Sequence, residues 1–174
     1  LAGLSFLFLA GNLYGAERLG SFFIATATVE IAGAFCVMGM KRSLFPILEN
    51  PSYQATITQI SIAALIISLG LAIPISIISF LWLDAITPSS PSNLLSFALP
   101  LIVIADILLA ITRHKRVMVY QILSRSVLEP WTKAILCAVF GIFSMLEFGL
   151  SFAYLSGLFI AAIVAIYGYG RLFG

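Results

Sequence analysis

Long apolar runs separated by short polar breaks follow one another along the whole chain. Five of the runs are long enough for a helix that crosses the hydrocarbon core of a bilayer, which takes about twenty mostly apolar residues. A shorter run at the start is typical of the second half of a further helix. The pattern therefore predicts an all-α fold, a single polytopic transmembrane helix bundle of about six spans, at 1–12 (partial), 19–40, 57–82, 94–112, 131–147 and 148–172.

The breaks between these runs contain residues that end helices. KRSLFPILENPSYQ carries two prolines, which lack the N–H group that a helix interior needs, and LDAITPSSPSN is rich in turn-forming Pro and Ser. Pro74 lies inside the third predicted helix, where we expect a kink. The break between the last two helices depends on Glu147 and Gly149 alone.

Composition indicates that lipid is the solvent of much of the surface. Of the 174 residues, 61% are hydrophobic and 9% are charged, and the mean hydropathy is +1.13, whereas a soluble domain is roughly one quarter charged. A chain of this length cannot hide so many apolar side chains in a core. Cys36 and Cys137 lie in apolar runs without metal-ligand spacing, so we expect small buried hydrophobes. Because the chain begins at Leu1 within an apolar run, we expect a start in mid-helix rather than after a cleaved signal peptide.

The basic residues predict an orientation. Five of the nine Lys and Arg residues fall in ITRHKRVMVYQILSRSVLEPWTK, residues 111–133. With a cytoplasmic N-terminus, seven basic residues lie in inner segments and only Arg18 in an outer one, which is the bias of the positive-inside rule. The link 113–130 alternates apolar and basic residues at helical spacing. It predicts an amphipathic helix along the inner leaflet, where Lys and Arg meet anionic lipid, rather than a nucleic-acid site.

Several charged side chains lie inside the predicted spans, where a charge at mid-span costs about 2.5–3.5 kcal/mol. Glu30 lies at the centre of the second helix and Asp106 well inside the fourth. Glu30 is either a polar contact in a small-residue packing face or part of a watery cavity. Asp106 has the same two interpretations, its structural one being a pair with Arg113 on the same helix face.

The fifth predicted helix carries a polar stripe that suggests a helix facing a cavity. Its members recur at spacings of four, four, three and three: Lys133, Cys137, Gly141, Ser144 and Glu147. Glu129 and Pro130 precede this stripe and are more typical of a helix start than of a site. The sequence holds one histidine and no catalytic triad, glycine-rich nucleotide fingerprint or metal-ligand spacing, so it predicts neither an enzyme nor a cofactor.

Three segments resemble the amino-terminal half of a polysaccharide-biosynthesis flippase, the O-antigen branch of the multidrug/oligosaccharidyl-lipid/polysaccharide exporter superfamily. They are LAGLSFLFLAGNLYGAERLGSFF, VEIAGAFCVMGMKRSLFPIL and RHKRVMVYQILSRSVLEPWTKAIL. Members of that family contain two six-helix lobes. The resemblance implies that this chain is one lobe, whose partner is a second lobe in the same chain or a second copy.

The resemblance also implies a function, alternating access in a bacterial cytoplasmic membrane around a cavity for an undecaprenyl-pyrophosphate-linked oligosaccharide. The polysaccharide polymerase machinery would be a further partner. Cations suit a diphosphate, and the implied substrate-binding candidates are Lys133, Arg113, Arg18, Lys41 and Arg42. The candidates for coupling to an ion gradient are Glu30, Asp106 and Glu147.

Two other functions remain open at this point. A lobe of a Na⁺- or H⁺-coupled multidrug exporter would have an acidic cavity, whereas the intramembrane charges of this chain are mixed. A non-transporting membrane scaffold of a glycan-assembly complex would need extramembrane surface for its partners, and the short loops disfavour it.

Overall fold

The structure, a computed structural model, describes residues 2–37, 40, 57–86, 91–114, 117–143 and 148–173. Nearly all of these residues are helical and none of them lies in a strand, so the predicted all-α class is confirmed. The α-helices are α1 (Ala2–Tyr14), α2 (Ala16–Val37), α3 (Ile57–Ile86), α4 (Ala98–His114), α5 (Val119–Gln121), α6 (Glu129–Ile142) and α7 (Gly149–Phe173). A 3₁₀ helix, Pro91–Phe97, precedes α4, and a π-helical segment, Ile122–Leu128, joins α5 to α6.

Four helices of the described part are long and apolar enough to cross a membrane: α2, α3, Asn93–Arg113 and α7. The helix α1 is apolar but has only 13 residues. The run through α5, the π-helical segment and α6 is continuous over 119–142, but three charged residues interrupt its apolar character, namely Arg125, Glu129 and Lys133. Six spans are thus not confirmed, and four are supported by length and composition.

A single glycine separates α1 from α2. Gly15 has a φ of +82°, a left-handed conformation that glycine adopts without the steric cost that Cβ imposes. Helix α1 therefore runs to Tyr14, and α2 begins at once at Ala16, three residues before the predicted start. The hydroxyl of Tyr14 donates a hydrogen bond to the backbone oxygen of Cys137 (3.0 Å) and ties this turn to α6.

The helix α4 lies at the centre of the bundle, in contact with α2, α3 and α7. In the apolar 18-residue stretch that includes most of this helix 67% of the residues are buried, against 28% in the corresponding stretch of α3. Helix α3 instead packs along one narrow face of mostly small residues: Ser61, Ala64, Ser68, Ala72, Ser76, Ser79 and Leu83. Small side chains let helix backbones approach closely. Helix α3 therefore covers one side of α4, and the large apolar side chains of α3 point outward.

One sequence-based expectation for the second half of the chain is wrong in the described residues. The predicted polar stripe of the fifth helix does not face a cavity beyond Lys133. Cys137 is fully buried, and a Cβ on Gly141 would lie 2.7 Å from Leu13 of α1. These positions pack against α1 because they are small. Ser144 and Glu147 lie outside the described residues.

The link before α6 is helical and exposes apolar side chains, as an interfacial helix would: Met118, Val119, Ile122, Leu123 and Val127. Its basic residue Arg125, however, turns inward and pairs with two carboxylates, so the expectation that it meets lipid head groups is wrong. Lys115 and Arg116 lie outside the described residues. Both cysteines are free and buried, which confirms that they are small buried side chains.

Candidate functional site

Four charged side chains form one connected ion-pair network in the interior of the bundle. Arg125 donates from Nη2 to Oδ1 of Asp106 at 2.5 Å and from Nη1 to Oε2 of Glu129 at 2.8 Å. Lys133 Nζ donates to the other oxygen of Glu129, Oε1, at 2.7 Å. Between 11% and 27% of each of these side chains is exposed. We refer to Asp106, Arg125, Glu129 and Lys133 as the ion-pair network.

The network arises from a simple spacing on one helical run and one partner across the bundle. Arg125, Glu129 and Lys133 follow at intervals of four, so they lie one above another on the same face. Asp106 reaches the first of them from α4, nineteen positions earlier in the chain. Each carboxylate therefore faces a guanidinium or an ammonium, which is the condition for retaining charge in an interior.

Tyr154 of α7 extends the network to a fifth charged residue. Its hydroxyl donates to Oε1 of Glu30 in α2 at 3.0 Å. Its ring lies beneath Lys133, with Nζ 3.8 Å from the ring centroid, which is a cation–π contact. The ring of Phe22 meets it edge-on, with the centroids 5.8 Å apart. One buried tyrosine thus connects α2, α6 and α7.

Gly157, less than one turn beyond Tyr154, makes room for the lysine. A Cβ at this position would lie 2.7 Å from Cγ and 3.1 Å from Cε of Lys133, and 3.1 Å from the backbone oxygen of Glu129. Real Cβ contacts are essentially never as close as the first of these. The absence of a side chain on α7 therefore lets Lys133 lie flat between α6 and α7, with its ammonium group over the tyrosine ring.

Lys133 and Glu30 line the same cleft, which we call the polar cleft. Its volume is about 430 Å³, and it is bounded by Phe6, Leu7, Phe22, Phe23, Thr26, Ala27, Glu30, Lys133 and Tyr154. The Thr26 hydroxyl donates to backbone oxygens of its own helix, at 3.0 Å and 3.1 Å. Glu30 is exposed in this cleft, so its carboxylate and the ammonium of Lys133 are the ionic groups among the described residues of its wall.

The charges of these side chains do not cancel. With every group ionised, Asp106 and Glu129 balance Arg125 and Lys133, and the ion-pair network is neutral. Glu30 then contributes one further negative charge, since the hydrogen bond from Tyr154 is neutral. Among these five ionic side chains the surplus is therefore negative, and it lies in the polar cleft.

The structure brings together some of the sequence candidates and not others. Lys133 and Glu30 meet at the polar cleft, and Asp106 reaches it through Arg125 and Glu129. The Nε atom of Arg113 is buried and has no hydrogen-bond partner in the described part of the chain. Arg18 is exposed in the first turn of α2, away from the cleft lining. Three candidates fall outside the described residues: Lys41, Arg42 and Glu147.

Sequence reasoning missed two residues of this site, Arg125 and Tyr154, and it interpreted a third, Glu129, as part of a helix start rather than of a site. The spacing of four between the two charged residues and Lys133 was a usable signal, because such residues are neighbours on a helix. The signal for the tyrosine was absent, because its partners come from α2 and α6, distant in sequence. In the residues that the structure describes, no group of three or more His, Cys, Asp or Glu side chains is placed to hold a metal ion.

A second cleft, of about 490 Å³, lies between α7 and the start of α4. It is lined by Phe97, Leu101, Phe152, Leu155, Ser156, Phe159 and Ile160. Among its described lining residues none is charged and Ser156 alone carries a polar side chain, so it offers an ionic ligand no charged partner. The polar cleft is therefore the better candidate site.

Comparisons of the chain with family models, with curated proteins and with solved structures find no match. The functional assignment accordingly depends on the geometry of the polar cleft and the ion-pair network, together with the features of the sequence.

Proposed function

We propose that this chain is one lobe of a membrane transporter that works by alternating access. The observation that carries the proposal is that Lys133 and Glu30, from different helices, line one cleft of a bundle of long apolar helices. Ionic groups within a membrane are costly, and they mark substrate or ion paths far more often than lipid-facing surfaces. A lobe needs a second lobe to enclose such a path, in the same chain or in a second copy.

The cargo that we propose is an undecaprenyl-pyrophosphate-linked oligosaccharide in a bacterial cytoplasmic membrane. The resemblance of three sequence segments to polysaccharide flippases supports this cargo, and so does a lysine on the cleft, since charge-assisted hydrogen bonds suit a diphosphate. In the arrangement of the structure Lys133 is held by Glu129. A diphosphate must therefore displace or share this carboxylate, and Glu30 is the candidate for coupling to an ion gradient.

A reconstitution assay tests this function. In the intact protein, Lys133→Met removes the charge of Lys133 and retains most of its length, and the matched control Ile135→Ala alters an exposed apolar position of the same helix. We expect the lysine variant to lose most of the transfer of the lipid-linked oligosaccharide across proteoliposomes, measured by the access of an external glycosidase to the sugar. The control should retain transfer. Equal transfer by both variants would remove Lys133 from the cargo site.

The proposal includes a cytoplasmic N-terminus. Tyr120 contacts Tyr167, with ring centroids 6.5 Å apart, so the start of the link and the end of α7 lie at the same end of the bundle. That end carries Arg171, and the link follows the RHKR run in the sequence, which supports a cytoplasmic position by the positive-inside rule. Single cysteines at Met118 and Asn93 should react with impermeant reagents from opposite sides of the membrane. Reaction from the same side would contradict this topology.

A cation-coupled exporter lobe is a second candidate, because the surplus charge of the polar cleft is negative. In such a protein a cationic substrate or a coupling ion would bind at Glu30. The same liposomes distinguish the two candidates: an exporter lobe would take up an organic cation in response to a Na⁺ or H⁺ gradient and would not transfer the lipid-linked oligosaccharide.

A further inference from the structure

Glu129 contacts both cations of the ion-pair network, and one of them, Lys133, lines the polar cleft. Its two carboxylate oxygens accept hydrogen bonds from Arg125 at 2.8 Å and from Lys133 at 2.7 Å. Only 11% of its side chain is exposed, against 14% for Lys133. At this distance and burial the charge of the lysine is compensated before any ligand arrives.

We propose that Glu129 sets the charge selectivity of the polar cleft. Because Glu129 neutralises Lys133, the carboxylate of Glu30 is left as the uncompensated charge among the described residues of the cleft wall, and the cleft takes a cationic group of the alkylammonium class. The walls suit such a group, since the rings of Phe22 and Phe23 line the cleft together with Glu30 and aromatic rings attract ammonium groups. The inference rests on the proposed function only in treating the polar cleft as the ligand site. In charge it agrees with the cation-coupled exporter lobe, because a diphosphate would first have to displace Glu129 from Lys133.

Tyr154 and Gly157 act as positioning residues in this arrangement. The glycine admits the aliphatic part of Lys133, and the tyrosine ring supports its ammonium group while the hydroxyl orients Glu30. Lys133 is thereby kept on Glu129 and not on Glu30. The cleft thus presents a carboxylate to an incoming cation, although a lysine lies on its wall.

A charge-reporting cysteine tests the selectivity without any transport assay. Ala27 lines the cleft and is exposed, whereas the native cysteines are buried, so the reporter is Ala27→Cys in a Cys36→Ala/Cys137→Ala background of the intact protein. The probes are the trimethylammonium-ethyl and sulfonato-ethyl methanethiosulfonates. The measured quantity is the ratio of their reaction rates, divided by the same ratio for a small free thiol. We expect this normalised ratio to favour the cationic reagent by about tenfold, the scale of one nearby unit charge at intermediate dielectric constant.

Three variants of the reporter protein separate the roles of the charges. Glu30→Gln should abolish the preference for the cationic reagent, and Glu129→Gln should lower it by about tenfold because Lys133 becomes an uncompensated cation. The double variant Glu129→Gln/Lys133→Met removes a neutral pair and should keep the native preference. This double variant also covers the case in which Glu129→Gln alone does not fold. The matched control is Glu17→Gln, which alters an exposed carboxylate in the first turn of α2, the helix that carries Glu30. It should leave the normalised ratio unchanged.

A native preference for the anionic reagent, or a preference unaltered by Glu30→Gln, would overturn the proposal. Reaction with neither charged reagent would overturn it as well, since the cleft would then admit no ion. These results are independent of the proposed function: a cation-selective cleft in a protein that transfers no oligosaccharide would refute the cargo alone, and normal transfer through an anion-selective cleft would refute the role of Glu129 alone.

Discussion

Two regions of the bundle handle polar groups within apolar helices in opposite ways. Helix α3 runs for 30 residues, and its buried polar side chains are serines. Ser61 donates to a backbone oxygen of its own helix at 2.7 Å, and Ser76 donates to the backbone oxygen of Ser96 at 2.7 Å. The ion-pair network instead places four full charges among α4, the π-helical segment and α6.

The difference shows which polar groups serve packing alone. A hydroxyl bonded to a backbone oxygen contributes about 1 kcal/mol, and its small size lets two helices approach. The buried face of α3 therefore requires no charge to pack against α4. The charges of the network are costly to bury and are stable only as a connected set. Because packing could be achieved as it is in α3, we attribute their presence to the polar cleft that they adjoin.

The largest expected effect is that of breaking the network at its centre. Glu129→Ala leaves Arg125 without one partner and Lys133 without its carboxylate, and removing one partner of a buried ion pair typically costs about 3–5 kcal/mol. The free energy of unfolding, measured by denaturant titration in mixed micelles, should fall by this amount. Glu17→Ala, at an exposed carboxylate, is the control. A loss below about 1 kcal/mol for the Glu129 variant would place the network in solvent-like surroundings.

The same glycine-to-alanine change should have opposite signs in the two regions. Gly157→Ala brings a methyl group to within 2.7 Å of Lys133 Cγ and should destabilise the protein by about 1–3 kcal/mol through overpacking. Gly70→Ala in α3 meets nothing within 4 Å and should stabilise the helix by up to about 1 kcal/mol through helix propensity. Thermal unfolding of the two variants side by side is the measurement. A shift of both in the same direction would contradict the close approach of α7 to Lys133.

Breaking the hydrogen bond between α3 and the 3₁₀ helix should lower the free energy of unfolding by less than Glu129→Ala does. Ser76→Ala deletes the buried hydrogen bond to the backbone oxygen of Ser96, so we expect a loss of about 1–2 kcal/mol. Ser76→Thr retains the hydroxyl and serves as the control for the bond itself. If alanine and threonine prove equally stable in the unfolding titration, the hydrogen bond does not hold α3 in place.

The smallest effect is expected at Ser68, whose hydroxyl is buried without a hydrogen-bond partner among the described residues. Removing such a group loses no bond, so Ser68→Ala should leave the free energy of unfolding within about 0.5 kcal/mol of the native value, or raise it slightly. A loss above 1 kcal/mol would mean that the hydroxyl has a partner. The difference in stability cost between the polar groups of α3 and those of the ion-pair network would then be smaller than we expect.

The helices themselves were largely predictable from the sequence. Length and apolar character located α3 and α7 to within a few residues, because both properties are local. The count of spans was not predictable in the same way, since the run over 119–142 is long enough but carries Arg125, Glu129 and Lys133. Whether such a run crosses a membrane depends on what its charges contact, and that is a property of the folded bundle.

The candidate site was predictable only in part, for the same reason. Glu30 and Lys133 stand out as charges in apolar runs, and the structure places both on the polar cleft. Their relation depends on Tyr154, which is an ordinary aromatic residue of α7 in the sequence and bridges two other helices in the structure. The structural interpretation of Asp106 pairs it with Arg113 on its own helix, whereas in the structure Arg125 reaches it from a different segment. Contacts between segments distant in the chain leave no periodic signal.

A double-mutant cycle on Asp106 and Arg125 tests the central claim, a connected ion-pair network across the bundle, most directly. The variants are Asp106→Asn, Arg125→Gln and the pair together, and the measured quantity is the free energy of unfolding in micelles. We predict that the two changes are non-additive by about 2 kcal/mol, as expected of residues that share one network. Additive effects, with a coupling energy of zero, would contradict the network and with it the charge balance of the polar cleft.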